Sequence, residues 1–329
     1  MGGRGPEGRI DDRGEKGVTQ SRHRAGVSSL MTWQDGLFYL GYIALFFGSI
    51  ISMLWRHRQL RKRRLPFGEE LKLLRAPGET QLKLVRKFDE DGFIWMILAA
   101  VGPATVGLLL LLGTTKLPRE LQLVGATITM VAFIAAFILA ARWFARKALE
   151  SRNRYLGYFG ERIVAEHLEP LKAQGWRIFH DVPGTANGHA FNIDHVAVGP
   201  TGVFVIETKT RRKGGARPGF EDYKVYFDGA ALVWPWGEDN HGLEQAERNA
   251  RWLATTLQAE LGEPVPVTPI LTLPGWWVEL KPSRDSRICR VANPKGLPAL
   301  LPVGAVVLDQ RQINAVAAKL EARCRDVEY

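Results

Sequence analysis

Three long apolar runs without a charged residue constrain the first half of this chain most strongly. They cover residues 36–55, 93–113 and 121–141. Each is about as long as the stretch that an α-helix needs to cross the hydrocarbon core of a bilayer. The Gly102–Pro103 pair inside the second run is tolerated in a membrane helix. We therefore predict three transmembrane helices. The alternative is that the second and third runs are core helices of a soluble domain.

The basic residues around these runs predict their orientation. A cluster of Lys and Arg at residues 56–64 follows the first run, more basic residues follow the third, and the short connection at residues 114–120 carries only Lys116 and Arg119. The positive-inside rule then makes residues 56–92 a basic cytoplasmic loop. Its cluster at residues 56–64 is expected to contact anionic lipid headgroups. We expect a multi-pass protein of the cell membrane with its C-terminal domain in the cytoplasm.

The rest of the composition narrows the partners and cofactors. The formal net charge of +10 favours anionic partners, either nucleic acid or a membrane surface. The two cysteines, Cys289 and Cys324, provide neither a disulfide framework nor a CxxC metal site, and an HExxH motif is absent. Residues 1–35 are rich in Gly and charge and are predicted to be disordered before the first span. Translation could start at Met1 or at Met31.

The second half has the pattern of a soluble α/β domain. Apolar residues recur at helical spacing in residues 155–175, and strand-like runs alternate with turn residues after them. A hairpin is indicated at Asp228–Gly229. The predicted order is helix, three strands, hairpin, helix, strand and terminal helix, over residues 155–175, 176–182, 191–199, 202–210, 222–234, 242–261, 265–273 and 310–325.

Two predicted strands carry charged residues although they are otherwise apolar. Because side chains alternate along a strand, Glu207 and Lys209 share one face, and Asp194 approaches Glu207 if the two strands pair. Converging carboxylates repel unless a cation lies between them, and Mg²⁺ binds such groups together with a substrate phosphate. Lys209 could then orient or deprotonate a water, or stabilise charge on the phosphate. The alternative is a structural ion pair between Lys209 and Glu207.

This pattern resembles a known nuclease superfamily. Asp, a spacer and Glu-x-Lys on an α-β-β-β-α-β core resemble the PD-(D/E)xK nucleases. More narrowly, "GYFGERIVAEHL", "FNIDHVAVGPTGVFVIETKT" and "LEQAERNARWLATTL" resemble the nuclease-related (NERD) domain. The resemblance covers about residues 155–275 and implies a restriction-endonuclease-like fold. It leaves residues 276–329 as a C-terminal extension with a terminal helix.

The resemblance also implies roles for individual residues. It makes Asp194 and Glu207 metal ligands, with Mg²⁺ or Mn²⁺ as the ion, and Lys209 a catalytic residue. It makes Glu161 a helix-borne acid that could reach a second metal. The alternative for Glu161 is an acid that complements the dipole at a helix N-terminus. Gln245 corresponds to a polar position that contacts substrate, unless it lies on a solvated helix face.

The neighbours of these residues receive weaker predictions. Asn192 shares a face with Asp194 and could line the site, whereas His195 is expected to be packed or hydrogen-bonded on the opposite face. The basic run after Lys209 either contacts phosphates or is a solvated loop. The residues predicted to contact nucleic-acid phosphates are Arg211, Arg212 and Lys213.

The sequence therefore predicts a membrane-anchored, metal-dependent nuclease that hydrolyses phosphodiesters, in the first instance those of DNA, on the cytoplasmic side. One alternative is a catalytically inactive, membrane-tethered module of the same fold that binds nucleic acid or signals. Another is a membrane scaffold whose soluble domain binds a protein.

Overall fold

The computed structural model describes Gly2 and residues 33–61, 72–281 and 288–327. Most of the segment predicted to be disordered lies outside these ranges, as does the end of the basic cluster at residues 62–64. The chain divides into two units, residues 1–70 and 71–329. The first unit is described through one helix, α1 (Trp33–Arg61).

The second unit contains all the remaining described elements. In chain order they are β1 (Leu73–Leu74), α2 (Glu79–Thr114), α3 (Arg119–Lys172), β2 (Arg177–Ala186), β3 (His189–Gly199), β4 (Gly202–Thr208), β5 (Lys224–Phe227), β6 (Leu232–Trp234), β7 (Gly237–Asp239), α4 (His241–Leu261), β8 (Val267–Thr272), β9 (Trp277–Leu280), β10 (Arg290–Ala292), a 3₁₀ turn (Pro294–Gly296), α5 (Leu297–Leu300), α6 (Gln310–Cys324) and β11 (Arg325–Val327).

Two helices in the described part of the chain are long and apolar enough to span a membrane. They are Ile94–Thr114 within α2 and the helix α3. In α1 the apolar stretch, Gly41–Met53, is shorter. Of the three predicted spans, two therefore remain candidates by length and composition among the described residues. Residues 79–92, which the sequence places in a loop, form the first turns of α2.

Helix α3 joins the apolar region to the α/β domain without a break. It is 54 residues long, which corresponds to roughly 80 Å at 1.5 Å per residue. Its first part is the predicted third span, and its last turns bury Val164, Leu168 and Leu171 against the domain. The helix that the sequence predicts from residue 155 is therefore the end of a much longer one.

The predicted α-β-β-β-α-β order is present as α3, β2, β3, β4, α4 and β8. Together with β10, these four strands form a five-stranded sheet in the order β10-β8-β4-β3-β2. Strands β2, β3 and β4 pair antiparallel, while β4 pairs parallel with β8 and β8 with β10. The parallel pairing of β4 and β8 requires the crossover that α4 provides.

Helices cover both faces of this sheet. On β4, Val203 and Val205 pack into the core layer beneath α4 and α6, whereas Phe204 and Ile206 pack into the layer beneath α3. The strand is buried on both sides, which explains its unbroken apolar sequence. A four-stranded sheet, β7-β6-β5-β9, contains the hairpin predicted at Asp228–Gly229.

The described residues after 275 pair and pack with the rest of the second unit. Strand β9 pairs with β5, β10 pairs with β8, and α6 contributes Ile313, Val316 and Leu320 to the core. At the other end of the second unit, β1 pairs antiparallel with β11. The domain therefore includes a short segment that lies before α2 and α3 in the chain.

Candidate active site

The edge of the central sheet brings Asp194 and Glu207 together as the sequence predicts. Pairing between β3 and β4 extends to His195 and Ile206, and the next residue on each strand is one of the two acids. Beyond that point the Asp194 carboxylate accepts a hydrogen bond from the backbone N–H of Thr208 at 2.7 Å. The Asp194 side chain thus takes the place of a backbone hydrogen bond between β3 and β4. Both acids lie where the pairing of these two strands ends.

Lys209 lies against Glu207 and helix α4. Its Nζ donates to Glu207 Oε1 at 2.8 Å and to Gln245 Oε1 at 2.9 Å. The Glu207 side chain is 1% exposed and that of Lys209 31%, so the ion pair has one buried end and one end that faces solvent. The structure therefore places Lys209, Glu207 and Gln245 in one cluster, and Gln245 does not lie on a solvated helix face.

Asn249, which was not predicted, completes the contacts of Glu207. Its Nδ2 donates to Glu207 Oε2 at 3.2 Å, and the residue is buried. Asn249 lies one helical turn after Gln245 on α4, so the two amides project from the same face. A polar residue four positions after Gln245, within an otherwise apolar helix face, could have indicated a second site residue on α4.

Glu161 joins the cluster from α3. It is 5% exposed, and burial, reinforced by the charges of Asp181 and Glu207, raises its pKa to about 8. The nearby backbone N–H of Gly78 partly offsets this rise. Because α3 begins at Arg119, Glu161 lies far inside the helix, and the alternative that it complements a helix N-terminus is wrong.

The three carboxylates behave electrostatically as a group that lacks positive charge. Burial raises the pKa of Asp194 well above its ordinary value, and the neighbouring Glu207 and Glu161 raise it further. Burial also raises the pKa of Glu207, although Lys209 opposes this shift. One ammonium group therefore does not balance three buried acids.

This donor set suits a hard divalent cation, because Mg²⁺ and Mn²⁺ prefer carboxylate oxygens and a cation would relieve the mutual repulsion. In the arrangement seen here, no group of three or more His, Cys, Asp or Glu side chains is placed to hold a metal ion among the described residues. Both oxygens of Glu207 are hydrogen-bonded, one to Lys209 and one to Asn249. The chemistry of the residues fits the ion, and binding it requires these side chains to rearrange.

Asp181 is a fourth acid beside the cluster and was not predicted. It lies in β2 with a positive φ of 48°, which is uncommon for a residue other than glycine, and it is 3% exposed. Its Oδ2 accepts bonds from the Arg75 guanidinium at 3.0 Å and from the Thr80 hydroxyl at 2.7 Å. Asn192, which was expected to line the site, bonds to the same two residues.

His195 is packed and hydrogen-bonded, as the sequence predicts. It is fully buried, and its Nδ1 lies 2.8 Å from Nδ1 of His180. Burial lowers the pKa of His180 to about 4 and that of His195 well below its ordinary value, so both rings are neutral near pH 7. The pair stabilises β2 against β3 and belongs to the core.

The basic run after Lys209 divides into two kinds of residue. Arg211 forms an ion pair with Asp239 and lies over the ring of Trp234, with 4.8 Å from its Cζ to the ring centroid. Arg212 and Lys213 are exposed, although Lys213 Nζ is 5.8 Å from the centroid of the Trp276 ring. Trp234 and Trp276 are themselves buried.

Close packing between α3 and the end of β4 depends on Gly160. A Cβ atom at this position would lie 1.8 Å from Thr210 Oγ1, one residue beyond Lys209. We therefore expect Gly160→Ala to destabilise the domain by about 1–3 kcal/mol, as overpacking does. The matched control is Gly157→Ala in the same helix, where a Cβ meets nothing within 4 Å. That change should stabilise by up to about 1 kcal/mol. Denaturant unfolding followed by tryptophan fluorescence measures both, and equal effects would contradict this packing.

Comparison with known proteins gives one family match. No curated protein and no solved structure matches the chain. A family model for the nuclease-related domain matches residues 156–274. The matched region contains the three acids predicted for the site, Glu161, Asp194 and Glu207. It also contains Lys209 and Gln245. This match identifies residues 156–274 as a member of the nuclease-related (NERD) domain family.

Proposed function

We propose that this protein is a metal-dependent nuclease that hydrolyses phosphodiester bonds of nucleic acid, with DNA as the expected substrate and Mg²⁺ or Mn²⁺ as the ion. The observation that carries the proposal is the cluster of Glu161, Asp194 and Glu207 beside Lys209. Burial raises the pKa of all three acids, and the charge of Glu207 adds to the rise at Glu161 and Asp194. Such a group, at an open sheet edge of a nuclease-related domain, favours a cation site over a structural ion pair.

The three acids would hold the ion, with Asp194 and Glu207 as the principal ligands. When bound, the ion supplies positive charge at the scissile phosphate and lowers the pKa of a coordinated water. Asn249 and Gln245 fix Glu207 and Lys209 from α4. These contacts keep the site in a defined orientation before substrate arrives.

Lys209 is best suited to stabilise negative charge. Burial acts to lower its pKa, but the adjacent Glu207 outweighs burial and the pKa is raised. The amine is therefore charged at neutral pH and cannot accept a proton from water. Of the roles considered for this residue, electrostatic stabilisation of the phosphate in the transition state fits the geometry better than general-base catalysis.

Cleavage of supercoiled plasmid by the purified full chain in detergent tests the proposal. We expect nicking with Mg²⁺ or Mn²⁺ that stops with chelator and in Asp194→Asn. The matched control is Asp222→Asn, which changes an exposed acid of the domain and should leave cleavage intact. No cleavage by folded wild type that still retards DNA in a gel would instead support the inactive binding module.

The basic loop yields a separate prediction about substrate binding. Arg212→Ala and Lys213→Ala should each weaken binding to DNA at low salt and reduce the slope of log affinity against log salt by about one. Arg211→Ala should act mainly on stability, because Arg211 is engaged with Asp239 and Trp234. Fluorescence anisotropy with a labelled oligonucleotide over a salt series measures this. An equal slope change in all three variants would be inconsistent with the division of the loop.

Membrane anchoring is also proposed. The outer faces of α2 and α3 expose large apolar side chains, among them Leu110, Leu123, Ile128 and Leu139, which suits contact with lipid acyl chains. We place the α/β domain on the cytoplasmic side of the cell membrane by the distribution of basic residues. The protein should then stay in the membrane fraction after washing at high pH and high salt. Release by either wash would refute integral anchoring.

A further inference from the structure

The segment of residues 72–80, here called the strap, lies outside the nuclease-related domain and contacts its acidic cluster. The strap begins with β1, which pairs with β11, and ends in the first turn of α2. Arg75 ties it to the C-terminal strand through two bonds to the Asp326 carboxylate, at 2.7 and 2.6 Å. The strap is therefore held at a fixed position beside the site.

The inner side of the strap delivers hydrogen-bond donors to Asp181. Its Oδ2 accepts from Arg75 Nη1, from the Thr80 hydroxyl and, at 3.2 Å, from the Thr80 backbone N–H. Asp181 in turn lies close enough to Glu161 for its charge to raise the pKa of that acid. The donors converge on Asp181 at the N-terminus of α2, where the helix dipole also favours negative charge.

The approach of the strap to α3 requires a glycine. Gly78 has a φ of 70°, and a Cβ atom there would lie 2.7 Å from Tyr158 Cδ2 and 3.2 Å from Tyr158 Cα. Tyr158 precedes Glu161 by one turn of α3. The contact thus brings the Gly78 amide directly to the helix face that bears the acid.

We infer that the strap is a positioning element of the site, which fixes Asp181 and packs against the turn of α3 that bears Glu161, at the sheet edge where the metal and the phosphate are proposed to bind. This inference rests on the proposed function. Groups that hold the surroundings of a metal site by hydrogen bonds typically affect metal affinity or activity by about 10- to 100-fold. The functional unit would then begin at the strap, before the two apolar helices, and would exceed the family-matched region.

Two substitutions at Thr80 test the inference in the full chain. Thr80→Val removes the hydroxyl donor to Asp181 and keeps the shape of the side chain, whereas Thr80→Ser keeps the donor. Thr255→Val on α4 is the matched control, because its hydroxyl bonds only within its own helix. We expect Thr80→Val to lower Mn²⁺ affinity and the turnover number for DNA cleavage by about tenfold, with KM for DNA unchanged. Thr80→Ser and Thr255→Val should stay near wild type.

The outcomes separate this inference from the proposed function. Amide hydrogen exchange in residues 76–84 should rise in Thr80→Val and report the loosened strap without any assay of cleavage. If the strap loosens while Mn²⁺ affinity and turnover stay at wild-type values, the strap is merely structural and the inference is overturned. Faster cleavage in Thr80→Val would also overturn it. If wild type does not cleave at all, the proposed function fails, and a tenfold loss of Mn²⁺ affinity in Thr80→Val still supports positioning.

Discussion

Replacement of Lys209 by methionine should lower the rate of phosphodiester cleavage by about 100- to 1,000-fold. Lys209 is the cation that the structure places beside the acids, and removing one group that stabilises transition-state charge typically costs this much. Affinity for DNA should change far less, because one charge among many contributes little to phosphate binding. Single-turnover cleavage of a labelled duplex at saturating Mn²⁺ measures the rate.

The same substitution should also destabilise the domain. Glu207 is almost fully buried, and loss of its partner leaves it with Asn249 as its remaining side-chain contact in the described structure. Breaking such a buried pair costs about 3 kcal/mol. Lys319→Met, at an exposed position of α6, is the control for loss of a lysine and should change neither quantity. Wild-type cleavage by folded Lys209→Met would remove this residue from the mechanism.

Replacement of Glu161 by glutamine should stabilise the protein without divalent ions and abolish cleavage. The folded-state pKa of Glu161 is about 8, against 4.5 for the ordinary carboxyl. The folded state therefore retains a proton that the unfolded state releases, and stability present below about pH 4.5 is lost as the pH rises through 8. Glutamine mimics the neutral acid and escapes this loss. We expect a gain of about 2–5 kcal/mol at pH 8.5 and almost none near pH 4.5.

Denaturant unfolding in chelator at both pH values measures the effect of Glu161→Gln. Addition of Mg²⁺ or Mn²⁺ should stabilise wild type more than the variant, because wild type binds the ion with all three acids and the variant with two. A structural ion-pair network predicts the opposite result, in which the glutamine variant is the less stable protein in chelator. Glu166→Gln, at an exposed position of the same helix, controls for the loss of a carboxylate from α3.

The local patterns of the sequence predicted the core of the domain well. Alternation along the strand placed Glu207 and Lys209 on one face, and the pairing of β3 with β4 brings Asp194 to Glu207. The helix predicted over residues 242–261 is present as α4 (His241–Leu261). These features depend on residues that are close together along the chain. A single sequence is therefore enough to predict them.

Features that depend on distant contacts were not predictable in this way. The two residues of β1 carry no strand pattern, and their pairing with β11 joins opposite ends of the second unit. Asp181 looks like an ordinary strand residue, and neither its positive φ nor its bonds to the strap leave a mark in the local sequence. Helix α3 changes from an apolar to an amphipathic pattern, so composition suggested a boundary where the backbone continues.

Binding of Mn²⁺ to the purified full chain is the measurement that tests the central claim most directly, because the claim is that Glu161, Asp194 and Glu207 form a divalent-cation site. Calorimetric titration should show saturable binding by wild type, its loss in Asp194→Asn and its retention in Asp222→Asn. Equal binding by all three folded proteins, or no binding by wild type, would contradict the claim and leave the cluster as a buried ion-pair network.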